Sequence, residues 1–166
     1  RQNSRSRAAQ PIRAAAPAGF RINPTMREAY NNSGVDRVSS TTPGASDIGE
    51  VPLSFYTQEL KDSYSSDYND VAFVLLSRYA GEGVDLDPYG DADGVPMLAL
   101  HTEEADLLKM IKESGKFGKT VVLINSPFAM DMQWIEDEQY GVDACIVFGA
   151  VGDYGFNGLT DILTGA

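Results

Sequence analysis

The amino-acid sequence predicts an α/β domain with a mainly parallel sheet and helices on both faces, a three-layer α/β/α sandwich truncated at both ends. Three observations lead there. Val71-Ala72-Phe73-Val74-Leu75-Leu76 is a short run that is apolar throughout, and 120–124 and 144–148 read as two further, mostly apolar strands. Parallel strands covered on both faces read this way, whereas half-exposed strands alternate. A stretch with helical character follows each run. The order strand, helix, strand, helix, strand, helix is that of βαβ units with right-handed crossovers. Finally, 166 residues at 43% hydrophobic content are about one domain with material for a core.

Each element has a local reason. Residues 1–21 hold Arg1, Arg5, Arg7, Arg13 and Arg21 and no acidic residue. The stretch 1–17 lacks periodicity and is expected to be disordered or a truncated edge, with the domain proper over 18–166. Asn23-Pro24 starts a short helix running to Asn31, because Asn caps free amides and Pro suits the first helical position. Ser33 to Glu50, rich in Ser, Thr, Gly and Pro, is a loop. Tyr56 to Tyr64 is expected as a second short helix. After the strand at 71–76, Gly81 to Gly94 is an acidic, Gly-rich loop. Thr102 is expected to cap a helix whose first turn holds Glu103 and Glu104, where the helix dipole favours negative charge. Leu107, Leu108 and Ile111 form its buried stripe. The second strand follows at 120–124, a short helix at Met130 to Ile135, and the third strand at 144–148. A Gly-rich turn then leads into a last short helix over Leu159 to Leu163. No strand precedes the first helix and none follows the last, so the chain reads as a piece of a longer protein.

Composition narrows the functions. A formal net charge of −11 argues against nucleic acid or an anionic membrane as partner. No apolar run is long enough to span a bilayer, and the N-terminal region lacks the apolar core of a signal peptide. The one cysteine, Cys145, can form no internal disulfide or cysteine metal cluster, and a cytoplasmic location is expected from it. The one histidine, His101, precedes a helix start without an evident Ser or Cys partner and reads as structural or solvent-facing. Cys145 reads as a small buried hydrophobe and Trp134 as core. No cofactor and no metal are expected.

Ligands of parallel α/β sheets bind beyond the carboxyl ends of the strands. Three loops belong to that edge: Ser77 to Gly94, Asn125 to Ala129 and Gly149 to Gly158. The first is the longest and most polar, reading Ser77-Arg78-Tyr79-Ala80-Gly81-Glu82-Gly83-Val84-Asp85-Leu86-Asp87. Glycines on either side of Glu82 let the backbone bend sharply and come close to a ligand. Spacing alone equally allows an acidic surface loop, or a cation site of Asp85, Asp87, Asp91 and Asp93. The third loop has Gly149, Gly152, Gly155 and Gly158, but neither the dinucleotide spacing nor a phosphate-binding lysine, so it reads as tight-turn chemistry.

The segment Ser77 to Asp85 resembles glycoside hydrolase family 3, the β-glucosidase family, in its α/β-sandwich second domain. The shared pattern is an apolar strand, Ser-Arg, a short spacer, Gly-Glu-Gly and a nearby acidic residue. Further similarities fall in order. Ala18-Gly19-Phe20-Arg21-Ile22-Asn23-Pro24 resembles the segment near that domain's start. Leu100-His101-Thr102-Glu103-Glu104 looks like a family helix start, and Lys119 to Asn125 like a family strand. Thr160-Asp161-Ile162-Leu163-Thr164-Gly165 looks like the family's segment after its last Gly-rich turn. The resemblance covers about residues 18–166. The chain departs from it at Asp153-Tyr154, where many members carry Gln-Glu.

The resemblance implies a domain that carries the acid/base of a retaining β-glucosidase, cleaving terminal β-linked glucose from oligosaccharides or glycosides. It matches Glu82 to the acid/base and makes Arg78 and Asp85 candidate substrate-binding residues. It also implies a partner, the barrel domain of the same parent protein, which supplies the nucleophilic Asp. This chain alone is then inactive. Two other classes stand beside it: a non-catalytic carbohydrate-binding or interaction domain, and a nucleotide- or phosphate-binding domain using Gly149 to Gly158. The lack of basic residues in that last loop counts against the latter.

Overall fold

The computed structural model describes residues 19–35, 50–78, 86, 94–149 and 151–165, leaving aside the side chains of 152–155. The expectations for 1–17, for most of the 33–50 loop and for nearly all of the 81–94 loop fall outside these residues. In chain order the elements are α1 (Pro24–Asn31), a 3-10 turn η1 (Leu53–Phe55), α2 (Gln58–Asp62), β1 (Val71–Ser77) and α3 (Thr102–Ser114). There follow β2 (Lys119–Asn125), a 3-10 turn η2 (Gln133–Glu136), β3 (Ala144–Val147) and α4 (Gly152–Thr164).

The three strands form a parallel sheet in the order β1-β2-β3. Val71 pairs with Lys119 and Ser77 with Asn125; Val121 pairs with Ala144 and Ile124 with Val147. Successive side chains alternate between the two faces. One face presents Ala72, Val74, Leu76, Val122 and Ile124, packed with Leu107, Leu108 and Ile111 of α3 and with Val51, Tyr56, Met130 and Trp134. The other presents Leu123, with Phe73, Leu75, Val121 and Ile146 around it, and receives Phe156 and Leu159 of α4. Helices therefore cover both faces of a parallel sheet, as the apolar runs predict. Trp134 is core, and the half-buried Cys145 packs against the first cluster.

The entry to the sheet is tightly set. Gly118 N donates to Asn69 O (2.9 Å) and Lys119 N to Asp70 O (3.0 Å). A Cβ at Gly118 would lie 2.9 Å from Asp70 O, a backbone atom that cannot turn away. At the same end, Asp143 accepts from Lys119 Nζ (2.7 Å) and Thr120 N (2.8 Å). These bonds, the Lys119 contact first, hold its carboxyl below the ordinary carboxylate range. A depressed folded value contributes stability above the unfolded value and loses it as pH falls through the folded one. Asp143→Asn should therefore flatten the acid side of the stability curve, below about pH 4, when unfolding is followed against pH. An unchanged acid limb would show that the carboxylate adds nothing.

Local structure departs from the sequence reading in four places. The second helix covers only 58–62, because Thr57 caps it (Leu60 N to Oγ1, 3.4 Å) while Tyr56 stays outside as a core anchor. Residues 130–135 give the 3-10 turn at 133–136 rather than an α-helix. There the Asp131 side chain accepts from Gln133 N (3.1 Å) and its carbonyl from Trp134 Nε1 (2.7 Å), a local alternative to helical bonding. The N-cap of α3 is His101, not Thr102. The last helix starts at Gly152, so 152–158 is helical and not a turn. Glycine costs about 1 kcal/mol in a helix relative to alanine. The stripe Phe156, Leu159 and Leu163 against the sheet offsets that cost.

Candidate functional site

The carboxyl edge of the sheet is where the segment containing Glu82 follows β1 in the chain. It is assembled from the ends of all three strands. Arg78 N donates to Asn125 O (3.1 Å), and Phe148 N to Ile124 O (3.0 Å), so each strand end is tied to its neighbour. Ser126 folds the next turn by accepting from Phe128 N (3.1 Å) and donating to Phe128 O (2.9 Å). Gly149, at φ +61°, turns the chain out of the third strand in a conformation that strains any side chain. The loop after β3 is thus short, and α4 begins almost at once.

Arg78 is the best-held side chain at this edge. It is 2% exposed, as is its partner Glu104 in the first turn of α3. Two parallel bonds join them: Nη1 to Oε1 (2.7 Å) and Nη2 to Oε2 (2.8 Å). Nη1 also donates to Ser77 O (3.0 Å), Nη2 to Ala99 O (2.7 Å), and Nε to Met97 O. A guanidinium has five N–H donors in a fixed fork, and all five have protein acceptors here. Glu104 Oε2 in turn accepts from His101 N (3.0 Å), satisfying an amide at the start of α3.

The result is a clamp. Ser77 and Arg78 precede the loop bearing Glu82, whereas Met97 and Ala99 follow it. Gly94, at φ +78°, turns the returning chain, and Asp131 N bonds to Leu98 O (2.9 Å). One buried cation therefore joins the outgoing stem, the returning stem and α3. A charge this deep is tolerated only because it is paired and fully hydrogen-bonded.

Of the three candidate catalytic and substrate-binding residues, the structure describes Arg78 alone; Glu82 and Asp85 lie outside the described residues. Arg78 is expected to touch substrate, but no N–H of its guanidinium is left over for a sugar hydroxyl. Its geometry is that of a positioning residue. Sequence reasoning missed Glu104 as its partner, assigning that carboxylate to the helix dipole. The signal was its place three residues after His101, the spacing at which an acidic side chain reaches back to an N-cap amide. His101 is 1% exposed, so it is not solvent-facing. Trp134 is buried beside Tyr140, with rings 6.4 Å apart, in the core as expected.

Among the described residues, no helix is long and apolar enough to cross a membrane. Comparisons with known protein families, with curated proteins and with solved structures found no match to this chain.

Proposed function

We propose that this chain is the acid/base-bearing α/β domain of a retaining, β-glucosidase-type glycoside hydrolase, with Glu82 as proton donor. One observation carries the reading. Gly81-Glu82-Gly83 follows the carboxyl end of β1 in the chain, the edge where parallel sheets bind ligands. The stems of that loop are joined by the Arg78–Glu104 clamp. Rigid stems suit a loop that must present one carboxyl to a substrate.

Retention needs two carboxyl groups about 5–5.5 Å apart, one on each side of the scissile bond. In this reading Glu82 protonates the leaving oxygen while a carboxylate from a barrel domain attacks the anomeric carbon. Glu82 then takes a proton from the water that releases the sugar. Asp85 is proposed to bind substrate nearby, and Arg78 acts through the backbone it holds. The substrates are β-glucosides or oligosaccharides with a terminal β-linked glucose, and no cofactor enters the chemistry.

The division of labour has a direct test. The purified 166-residue chain should not hydrolyse an aryl β-glucoside, because the attacking carboxylate belongs to the other domain. Turnover by this chain alone, abolished by Glu82→Gln, would place the whole reaction within it and overturn the two-domain reading.

A further inference from the structure

A second polar cluster lies apart from the clamp. Tyr30 on α1, Glu50 in the segment before η1 and Tyr56 just after η1 bring three oxygens together. Tyr30 Oη and Tyr56 Oη each lie 3.3 Å from Glu50 Oε1 and are hydrogen-bonded to one another. The same Oε1 accepts from Val51 N (2.9 Å). The cluster sits on the core: Val51 and Tyr56 are buried with Ala72, Val74 and Leu76, and Tyr30 packs against them. The Tyr30, Phe55 and Tyr56 rings close over one another, with centroids 5.2–6.4 Å apart.

Counting protons shows what is unusual. Three oxygens meet in pairs, giving three contacts, but two phenols bring only two protons. With Glu50 ionised, one contact sets acceptor against acceptor, unless a proton is shared. A proton on Glu50 supplies the third and closes the triangle. Around Arg78 and Glu104 donors and acceptors match; here the match depends on a titratable proton.

We propose that the Tyr30–Glu50–Tyr56 triangle is a proton-operated latch, holding α1 and η1 on the sheet when Glu50 is protonated and loosening them when it ionises. The charged surroundings agree. Burial pushes Glu50 above the usual carboxylate range; the Val51 amide opposes this, the Glu104 carboxylate on α3 adds to it, and the two tyrosine hydroxyls oppose it. Burial also raises Tyr30, with the Glu50 charge second, so the phenol is no competing source of negative charge near neutral pH. Burial raises Tyr56 as well, followed by the charges of Tyr30 and Glu50. The positive charge nearest to Glu104, Arg78, is bound by both carboxylate oxygens of Glu104 and is not shared with Glu50.

The sign of the effect follows. Below the unfolded value of a carboxyl, both states carry the proton. As pH rises, the unfolded chain ionises first, so the latched state loses stability until Glu50 ionises too. The latch is therefore fully closed below the ordinary carboxylate range and weakens as pH rises above it, until the folded Glu50 ionises.

Amide hydrogen exchange on the full chain, corrected for the intrinsic effect of pH and read between about pH 5 and 8, tests this. Protection of α1 and of residues 51–56 should fall with pH, by up to about tenfold for each pH unit between the unfolded and folded titration midpoints. Protection of β2 and α3 should not follow it. In Glu50→Gln, whose amide keeps the shape and carries its own hydrogens, the fall should vanish. An equal fall in Glu50→Gln would overturn the latch. So would wild-type loss of protection spread evenly over the sheet, a result that does not depend on the variant folding.

Discussion

Replacing Arg78 with alanine is expected to destabilise the fold by about 3–5 kcal/mol, the cost of leaving a buried charge without its partner. The residue lost is nearly inaccessible to solvent, and what remains is the more damaging part. Glu104, equally buried, would keep a carboxylate with only the His101 amide as a described donor. The carbonyls of Ser77, Met97 and Ala99 would each lose a donor at the same time. Denaturant unfolding should show the loss as a lower midpoint. Arg78→Lys should recover only part of it, because an ammonium cannot make two parallel bonds to Glu104 and still reach three carbonyls. The double variant Arg78→Met with Glu104→Leu should be more stable than Arg78→Ala, since removing both charges removes the desolvation problem. If Arg78→Ala unfolds at the wild-type midpoint, the clamp does not hold the loop stems.

The second large effect concerns chemistry. In a polypeptide joining this chain to the barrel domain, Glu82→Ala should reduce turnover of poorly activated β-glucosides by about 10²–10⁴-fold, the range that a positioned general acid or base supplies. The loss should depend on the leaving group. A phenol that departs as a stable anion needs little protonation, so its first step should be nearly spared and release of the sugar should become limiting. A structural role for Glu82 would depress all substrates alike. Glu104→Gln provides a contrast. If the clamp positions the loop, that variant should lower turnover on every substrate without changing the leaving-group dependence, because Glu82 itself remains.

How much of this was legible in the sequence follows from the range of the interactions. The first two strands were readable because a mostly apolar run of five or six residues reports burial; the third was readable by its apolar residues although Ala144 and Val147 are exposed. The stripe Leu107, Leu108 and Ile111 was readable because helical spacing reports one buried face. The cap at Asn23 was readable because it is local, with Met26 N bonding to Asn23 Oδ1 (3.1 Å). What escaped was set by partners far along the chain. Glu104 resembles a dipole-favoured first-turn acid until Arg78, twenty-six positions earlier, is seen against it. Tyr30, Glu50 and Tyr56 come from three separate segments, and nothing in their spacing announces a triangle of oxygens. The start of α4 was misplaced because four glycines in ten residues look like a turn, whereas packing of Phe156 and Leu159 on the sheet outweighs that local preference. The residues best read from resemblance, Glu82 and Asp85, depend on motif order rather than on any contact described above.

The most direct test of the central claim is azide rescue of Glu82→Ala in the polypeptide joined to its barrel. Azide attacks a glycosyl-enzyme without needing a general base. With an aryl β-glucoside bearing a good leaving group, added azide should restore turnover and yield the β-glucosyl azide, the product of retention with Glu82 absent. Wild-type turnover by Glu82→Ala without azide would contradict the assignment, because a reaction that proceeds unaided does not use Glu82 as its acid/base.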